Sequence, residues 1–121
     1  MAGKTRPSDA ELGKARIVLG RFNFWCKKNP DALRWLYAEA LRHEAAGHRF
    51  SVKSLIERMR WDDVVALERD GKAFSLPNVY APILARCLVL ARPSLYTRDL
   101  LRINPSVYDW LPLTNVFKEV R

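Results

Sequence analysis

Apolar residues recur at helical spacing along most of the chain, and the strongest run lies between residues 79 and 91. Arg86 is the only charged residue in this run, and apolar side chains cover nearly every side of a helix drawn through it. A helix that is apolar all round is typical of a buried one. It is also too short to cross a bilayer, which takes roughly 20 residues. The pattern therefore predicts a central core helix, against which the other elements pack.

Two long helices are predicted before this run, each with its own boundary signals. A helix over 9–28 begins after Ser8, which has the glutamate of a capping box three positions on. Asn29, followed by proline, starts a second helix over 30–46, and Gly47 ends it. The residues expected on their buried faces recur every three or four positions: Leu12, Ala15, Leu19, Phe22 and Cys26 in the first, and Leu33, Leu36, Tyr37, Ala40 and Leu41 in the second.

A third helix, over 52–60 after Ser51, is followed by a change of pattern. Short apolar runs on either side of an Asp-Gly pair predict a β-hairpin near 64–76. Helix 30–46, a short connection and helix 52–60 have the order of a helix-turn-helix, and a hairpin directly after them is the wing of a winged helix. We therefore expect a mainly helical α+β fold of helix-turn-helix or winged-helix type.

The remaining chain completes a single domain. Short helical turns are expected within 94–102 and 105–111, where prolines break the chain into small segments. The residues after 111 alternate loosely, which leaves a strand, a docked segment and disorder as open alternatives. The expected organisation is a flexible basic tail over 1–7, one helical domain over 8–111 and a C-terminal tail over 112–121.

Charge adds the first indication of function. The net charge is +8, and the first 30 residues carry seven Lys or Arg against two Asp or Glu. A basic balance favours anionic partners, either duplex DNA or an acidic protein surface. The hydrophobic content of 49% is too high for an intrinsically disordered chain. Cys26 and Cys87 lie in apolar helical patterns and are expected to be reduced core residues, so with no visible leader we expect a cytoplasmic protein.

The helix-turn-helix interpretation names a set of nucleic-acid-binding residues. Helix 52–60 would enter the major groove, while flanking cations would contact phosphates. The acidic residues of the hairpin region, which phosphates repel, count against this interpretation. The candidate base-contacting residues are Lys53, Ser54, Glu57 and Arg60, and the candidate phosphate-contacting residues are Arg49, Lys27 and Lys28.

Catalytic and metal-binding motifs are weak. His43 and His48 with Glu44 resemble the zinc motif H-E-x-x-H, but the two histidines are five residues apart, where four are required, so both are expected to face solvent. Asp62 and Asp63 form a carboxylate pair at an expected turn, for which a capping role is favoured over that of a metal-dependent nuclease. We expect no catalytic residues, no metal and no cofactor, and whether the protein is an enzyme is left open.

Two further groups are candidates for structural or binding roles. An unpaired buried guanidinium is costly, so Arg86 should have a carboxylate partner, with Glu57 or Asp62 as the best choices. Aromatic residues that stay exposed would favour a protein interface. Those considered are Trp25, Trp35, Trp61, Trp110 and Tyr108.

Between residues 22 and 102 the chain resembles a group of small uncharacterised proteins of phages, prophages and bacterial accessory genes. The features shared with this group are the following: Phe22 and Trp25 before Asn29-Pro30, Gly47 at a helix end, Ser51-Val-Lys-Ser-Leu, Glu57-Arg-Met-Arg-Trp61, Phe74, Leu76, Asn78, Tyr80 and Ala85-Arg86. The group has no settled activity. The resemblance implies the context of a mobile element, and the host cytoplasm if the protein is phage-encoded.

The leading functional hypothesis is thus a small, basic, non-catalytic protein of a phage or mobile element that binds DNA. The alternative is a protein-binding effector or inhibitor of a host or defence protein, using an aromatic patch ringed by arginines. A metal-dependent nuclease is a distant third. No membrane association is expected, and homodimerisation through the first helix is left open.

Overall fold

In the computed structural model, residues 5–61, 68–69, 72–73, 78–118 and 120 are described. Besides five α-helices and two short strands, these residues contain two 3₁₀ turns, Asn78–Tyr80 and Val107–Trp110. The helices predicted over 9–28, 30–46, 52–60 and 79–91 are confirmed to within two residues at each end. The named elements are α1 (Asp9–Lys28), α2 (Pro30–Ala46), α3 (Val52–Trp61), β1 (Glu68–Arg69), β2 (Lys72–Ala73), α4 (Ala81–Ala91) and α5 (Ser94–Thr97).

The region of the predicted hairpin is described at four residues only. There β1 runs antiparallel to β2, with Glu68 opposite Ala73 and Arg69 opposite Lys72. Most of the predicted hairpin over 64–76 lies outside the described residues. The described part of the fold is mainly helical. Because most of the hairpin is not described, the winged-helix shape stays a prediction.

The helix boundaries follow the sequence signals with one exception. The Ser8 hydroxyl accepts the backbone N–H of Glu11 at 3.1 Å, as expected of a cap. Gly47 adopts a left-handed φ of 67°, which suits a residue without Cβ at a helix end. Asn29, however, makes no side-chain bond to α2; its amide donates to the Trp25 carbonyl at 2.9 Å. It thus satisfies a free carbonyl in the last turn of α1.

Helix α4 occupies the centre of the domain, as the apolar run predicted. Pro82 lies in its first turn, where the missing N–H costs no intrahelical bond. Ile83 and Leu84 are fully enclosed, whereas Leu90 near the C-terminal end is half exposed. The buried core to which α4 belongs also draws apolar residues from all the other helices and from both 3₁₀ turns. They include Phe22, Leu36, Leu55, Ile56, Met59, Tyr80, Leu95 and Tyr108.

Arg86 lies inside this core and is paired, but not with the residues predicted. Its Nε donates to Asp109 Oδ1 at 2.7 Å, and its other two nitrogens donate to the carbonyls of Pro82 and Asn104. The prediction that Glu57 pairs with Arg86 is therefore wrong, because Glu57 is exposed on α3 and all three guanidinium nitrogens are satisfied elsewhere. Asp62, the other choice, lies outside the described residues.

Two buried glutamates tie α2 to its neighbours. Glu39 accepts from Arg58 of α3 at 2.7 Å and from Arg42 at 2.8 Å. Glu44 accepts from Arg92 at 2.6 Å and from the hydroxyl of Ser94. The Ser94 hydrogen bond, followed by the contacts with arginine, holds the pKa of Glu44 below its usual value although burial opposes the shift. These contacts anchor α2 to α3 and to the segment after α4.

Residues 112–118 form a docked segment, one of the three alternatives left open by the sequence. Phe117 is fully buried and stacks on Tyr37 of α2, with ring centroids 5.9 Å apart. The thiol of Cys87 donates to the Thr114 carbonyl at 3.3 Å. This segment therefore covers one side of α2 and α4.

Candidate nucleic-acid interface

A backbone bridge brings the beginning of α3 against the segment after α5. Phe50 donates its N–H to the Leu100 carbonyl at 2.8 Å, and Arg102 donates its N–H to the Phe50 carbonyl at 3.1 Å. Phe50 and Leu101 are both buried and fix this pairing from the apolar side. As a result, Arg102 lies beside the first turn of α3, although the two are 50 residues apart in the chain.

The residues that follow the bridge on each side, from Ser51 and from Arg102, line an open cleft of about 350 Å³. The cleft lies between the first turn of α3, the first half of α4 and residues 102–104. Two of its cations, Lys53 and Arg102, are exposed, and neither has an ion-pair partner among the described residues. The other residues that line it, apart from Arg86, are uncharged. We call this the α3 cleft; its lining residues are Ser51, Val52, Lys53, Ala81, Pro82, Ala85, Arg86, Arg102, Ile103 and Asn104.

The residues predicted to contact bases lie on the exposed face of α3. Lys53, Ser54 and Glu57 are all exposed, whereas the side chain of Arg60 lies outside the described part. The Ser54 hydroxyl donates to the Ser51 carbonyl at 2.7 Å, so its proton is used to stabilise the start of the helix. Of this group, Lys53 therefore offers an extended side chain that can reach a partner.

The three predicted phosphate contacts are divided between the two ends of α2. Arg49 follows α2, is exposed and lies 3.4 Å from the carboxylate of Asp99. Lys27 and Lys28 precede α2, and the ammonium of Lys28 lies over the ring of Phe24 at 5.3 Å. Because α2 rises by 1.5 Å per residue, these two ends are about 24 Å apart along its axis. Arg49 thus lies with α3, while the two lysines belong to the surface of α1.

The three residues of the imperfect H-E-x-x-H motif lie in different surroundings in the structure. His43 is half-buried and stacks on Phe50, with ring centroids 4.9 Å apart, so the prediction that it faces solvent is wrong. Its Nδ1 is buried without a hydrogen-bond partner in the described part, and burial lowers the pKa of the imidazole. His48 is exposed, as predicted, and Glu44 is occupied by Arg92 and Ser94.

The described residues provide neither a reactive thiol nor a group of metal-binding side chains. Cys26 and Cys87 are buried and free, and burial raises the pKa of each thiol to about 12, so both are protonated near neutral pH. Over 5–61, 68–69, 72–73, 78–118 and 120, no group of three His, Cys, Asp or Glu is placed to hold a metal ion. Asp62 and Asp63 lie outside those ranges.

The exposed aromatic surface differs from the one considered from the sequence. Tyr108 is buried, Trp25 and Trp35 are partly buried, and Trp110 is 41% exposed. The side chain of Trp61 is outside the described part. The residues missed include Tyr96, which is 57% exposed, and, on α1, Ile17 and Phe24, which are 60% and 64% exposed. Their seven-residue spacing was a readable signal, because it places both on one side of a helix.

The same face of α1 carries a dense group of cations. Gly13, Ile17, Gly20 and Phe24 fall within about 60° of one another around the helix axis, opposite the buried face. Five exposed cations flank this stripe on both sides, and residues 12–28 contain no carboxylate. We call this surface the outer face of α1; its cations are Lys14, Arg16, Arg21, Lys27 and Lys28.

Comparison of the chain with protein-family models, with curated proteins and with solved structures finds no match. Within the part of the chain that the structure describes, no helix combines the length and apolar character needed to span a membrane.

Proposed function

We propose that the protein binds duplex DNA, without catalysis, through the exposed face of α3 and the α3 cleft. The observation that carries this proposal is the pair of exposed cations, Lys53 and Arg102, at a cleft whose described lining residues include no carboxylate. Such a cleft attracts phosphate, and phosphate contacts supply most of the affinity of proteins for DNA. The net charge of +8 acts in the same direction at longer range.

On this proposal each group has a defined part in recognition. Lys53 and Arg102 neutralise neighbouring phosphates, and the positive end of the α3 dipole adds to their attraction. Docking there brings the outer side of α3 to the major groove, where the carboxylate of Glu57 can accept from the amino group of cytosine. In the winged-helix arrangement that we include in the proposal, the β1–β2 strands lie beside the duplex.

The test is the affinity for a fluorescently labelled duplex, measured by anisotropy against salt concentration. The logarithm of the binding constant should fall linearly with the logarithm of salt, with a slope of about −0.9 for each phosphate contact. The double variant Lys53→Glu with Arg102→Glu should lose at least about tenfold in affinity, and its slope should be shallower by about 1.8, since it removes two contacts.

The matched control is Lys14→Glu with Arg21→Glu on the outer face of α1, because it changes the net charge by the same amount. It should leave the slope unchanged and reduce affinity only by the loss of long-range attraction. Wild-type protein that does not bind the duplex at low salt would overturn the proposal. An equal loss of affinity and slope in both double variants would assign binding to general charge and overturn the role of the cleft.

A further inference from the structure

The outer face of α1 is an apolar stripe that no described part of this chain covers. Ile17 and Phe24 are 60% and 64% exposed, although each lies in a well-formed helix whose opposite side is packed in the core. Beside Phe24 a groove of about 680 Å³ continues the stripe towards Trp25 and Tyr80. Large apolar side chains that are exposed together on one helix face are typical of an interaction site.

The two glycines in the stripe pack against no described residue outside their own helix. A Cβ placed on Gly13 or Gly20 would meet nothing within 4 Å. Both lie in α1 and have negative φ, so neither is required by the backbone conformation. Glycine is a poor helix former, and its presence at two such positions is explained by a partner whose backbone approaches α1 closely. The alternation of glycine with large apolar residues every three or four positions fits a helix lying along α1.

The charged residues beside the stripe indicate which kind of partner helix can bind there. Lys14, Arg16 and Lys27 are exposed and have no ion-pair partner among the described residues. A second copy of α1 is disfavoured, because an antiparallel pair centred between Ile17 and Phe24 sets Arg21 of one copy beside Arg21 of the other, and Lys14 beside Lys28. Like charges so placed repel, whereas carboxylates on both flanks of a partner helix would pair with the cations.

We propose that the outer face of α1 binds an amphipathic helix of another protein, with small or apolar residues along its contact stripe and Asp or Glu on both flanks. This site is separate from the α3 cleft and does not depend on DNA binding. Electrostatic attraction brings the acidic helix to the cationic face, and the glycines then let its backbone come close to Ile17 and Phe24.

The probe is a synthetic amphipathic peptide of about three heptads, with Ala and Leu along one stripe and Glu on both flanks. Its affinity for the full chain is measured by calorimetry and compared with that of a peptide carrying Lys at every Glu position. We expect the Glu peptide to bind with a micromolar dissociation constant, and the Lys peptide to bind at least tenfold more weakly. A Glu peptide that does not bind, or a Lys peptide that binds equally well, overturns the proposal.

Three variants separate this site from general charge. Ile17→Ser with Phe24→Ser removes exposed side chains only, so the fold is retained and Glu-peptide binding falls at least tenfold. Gly20→Phe fills the open space and reduces binding to a similar extent, whereas Lys53→Glu with Arg102→Glu reduces it only by the loss of long-range attraction. Equal binding by the Ile17/Phe24 double variant shows attraction by charge alone and overturns the proposal.

Two other occupants are outcomes of the same experiments. Sedimentation of the wild-type chain as a dimer that Ile17→Ser with Phe24→Ser converts to a monomer assigns the face to a second copy. Loss of duplex binding in that double variant assigns the face to nucleic acid. Either result overturns the proposal. Failure of the duplex experiments at the α3 cleft, by contrast, leaves peptide binding at α1 as expected.

Discussion

Arg86 shows what a buried charge needs in this core. Its side chain is 10% exposed, and its donors are divided between the Asp109 carboxylate and two backbone carbonyls. The 3₁₀ turn that contains Asp109 is fixed by Ser106, whose hydroxyl accepts the Tyr108 N–H while its own N–H donates to Asp109. The ion pair therefore holds the turn against α4, and removing one partner leaves the other charge uncompensated.

We expect Asp109→Ala to lower the free energy of unfolding by about 3 kcal/mol, because it leaves a buried guanidinium without its carboxylate. Urea denaturation followed by circular dichroism measures this change. The control is Arg34→Ala, which breaks an ion pair with Asp31 in which both side chains are exposed. That loss should stay below about 1 kcal/mol. Equal effects of the two substitutions would contradict the structural importance assigned to Arg86.

His43 makes the stability depend on pH. Burial lowers the pKa of His43 in the folded state from its ordinary value of 6.5; nearby Arg58, Arg42 and His48 act in the same direction, and Glu39 opposes them. As the pH falls through this range, the unfolded chain takes up the proton first, so the folded state loses stability. The denaturation midpoint should decrease as the pH is lowered from about 7 to about 5.

In His43→Phe the ring can still stack on Phe50 but cannot titrate. The pH dependence in that window should therefore be weaker than in the wild-type protein. His48→Gln serves as the comparison, since His48 is exposed, and it should retain most of the wild-type slope. A slope unchanged by His43→Phe would show that other groups cause the loss of stability.

At the scale of elements, the helices were predictable because their signals are local. Spacing of apolar residues, Pro82 in the first turn and Gly47 at a helix end depend on neighbours a few positions away. Contacts between distant segments were not predictable in this way. Asn29 begins α2 as predicted, but its side chain bonds back to α1, because a residue between two helices can cap either one. Glu39 and Glu44 were not predicted as buried, because Arg58 and Arg92 reach them from other elements.

In the candidate site, too, residues placed by a local pattern were predicted, whereas a residue placed by a contact between distant segments was not. Lys53 and Glu57 were identified from the period of α3, which fixes the exposed face of a helix. Arg102 was missed because nothing near it in sequence indicates that its backbone pairs with Phe50. The outer face of α1 was missed although its spacing was readable, because a pattern does not tell which of two apolar stripes is covered.

The glycines of α1 lead to a prediction about the helix itself. Gly13→Ala and Gly20→Ala should each stabilise the protein by up to about 1 kcal/mol, because alanine is the better helix former and its methyl group meets only open space. Thermal unfolding followed by circular dichroism measures the gain. Gly47→Ala provides the opposite case, since its φ of 67° is strained for a residue with Cβ, and it should lower stability by about 1–2 kcal/mol.

At the scale of the whole molecule, the core closes only when the segment after residue 111 is in place. Phe117 is fully buried against Tyr37, and Leu111 is buried with it. Phe117→Ala should therefore lower the free energy of unfolding by about 3–5 kcal/mol. Lys118→Ala, at the exposed neighbouring position, should change it by less than about 0.5 kcal/mol. A Phe117 variant as stable as the Lys118 variant would show that the segment is not part of the core.

The position of Phe117 also bears on how the chain folds while it is being made. Ribosomes release the polypeptide from its N-terminal end, so α1, α2 and α4 emerge before the ring that fills the space beside Tyr37. Until residue 117 has left the ribosome, the side of Tyr37 that it covers stays open, and chaperones bind apolar gaps of this kind. Phe117→Ala leaves this gap open in the finished chain as well, so it should prolong chaperone association relative to Lys118→Ala.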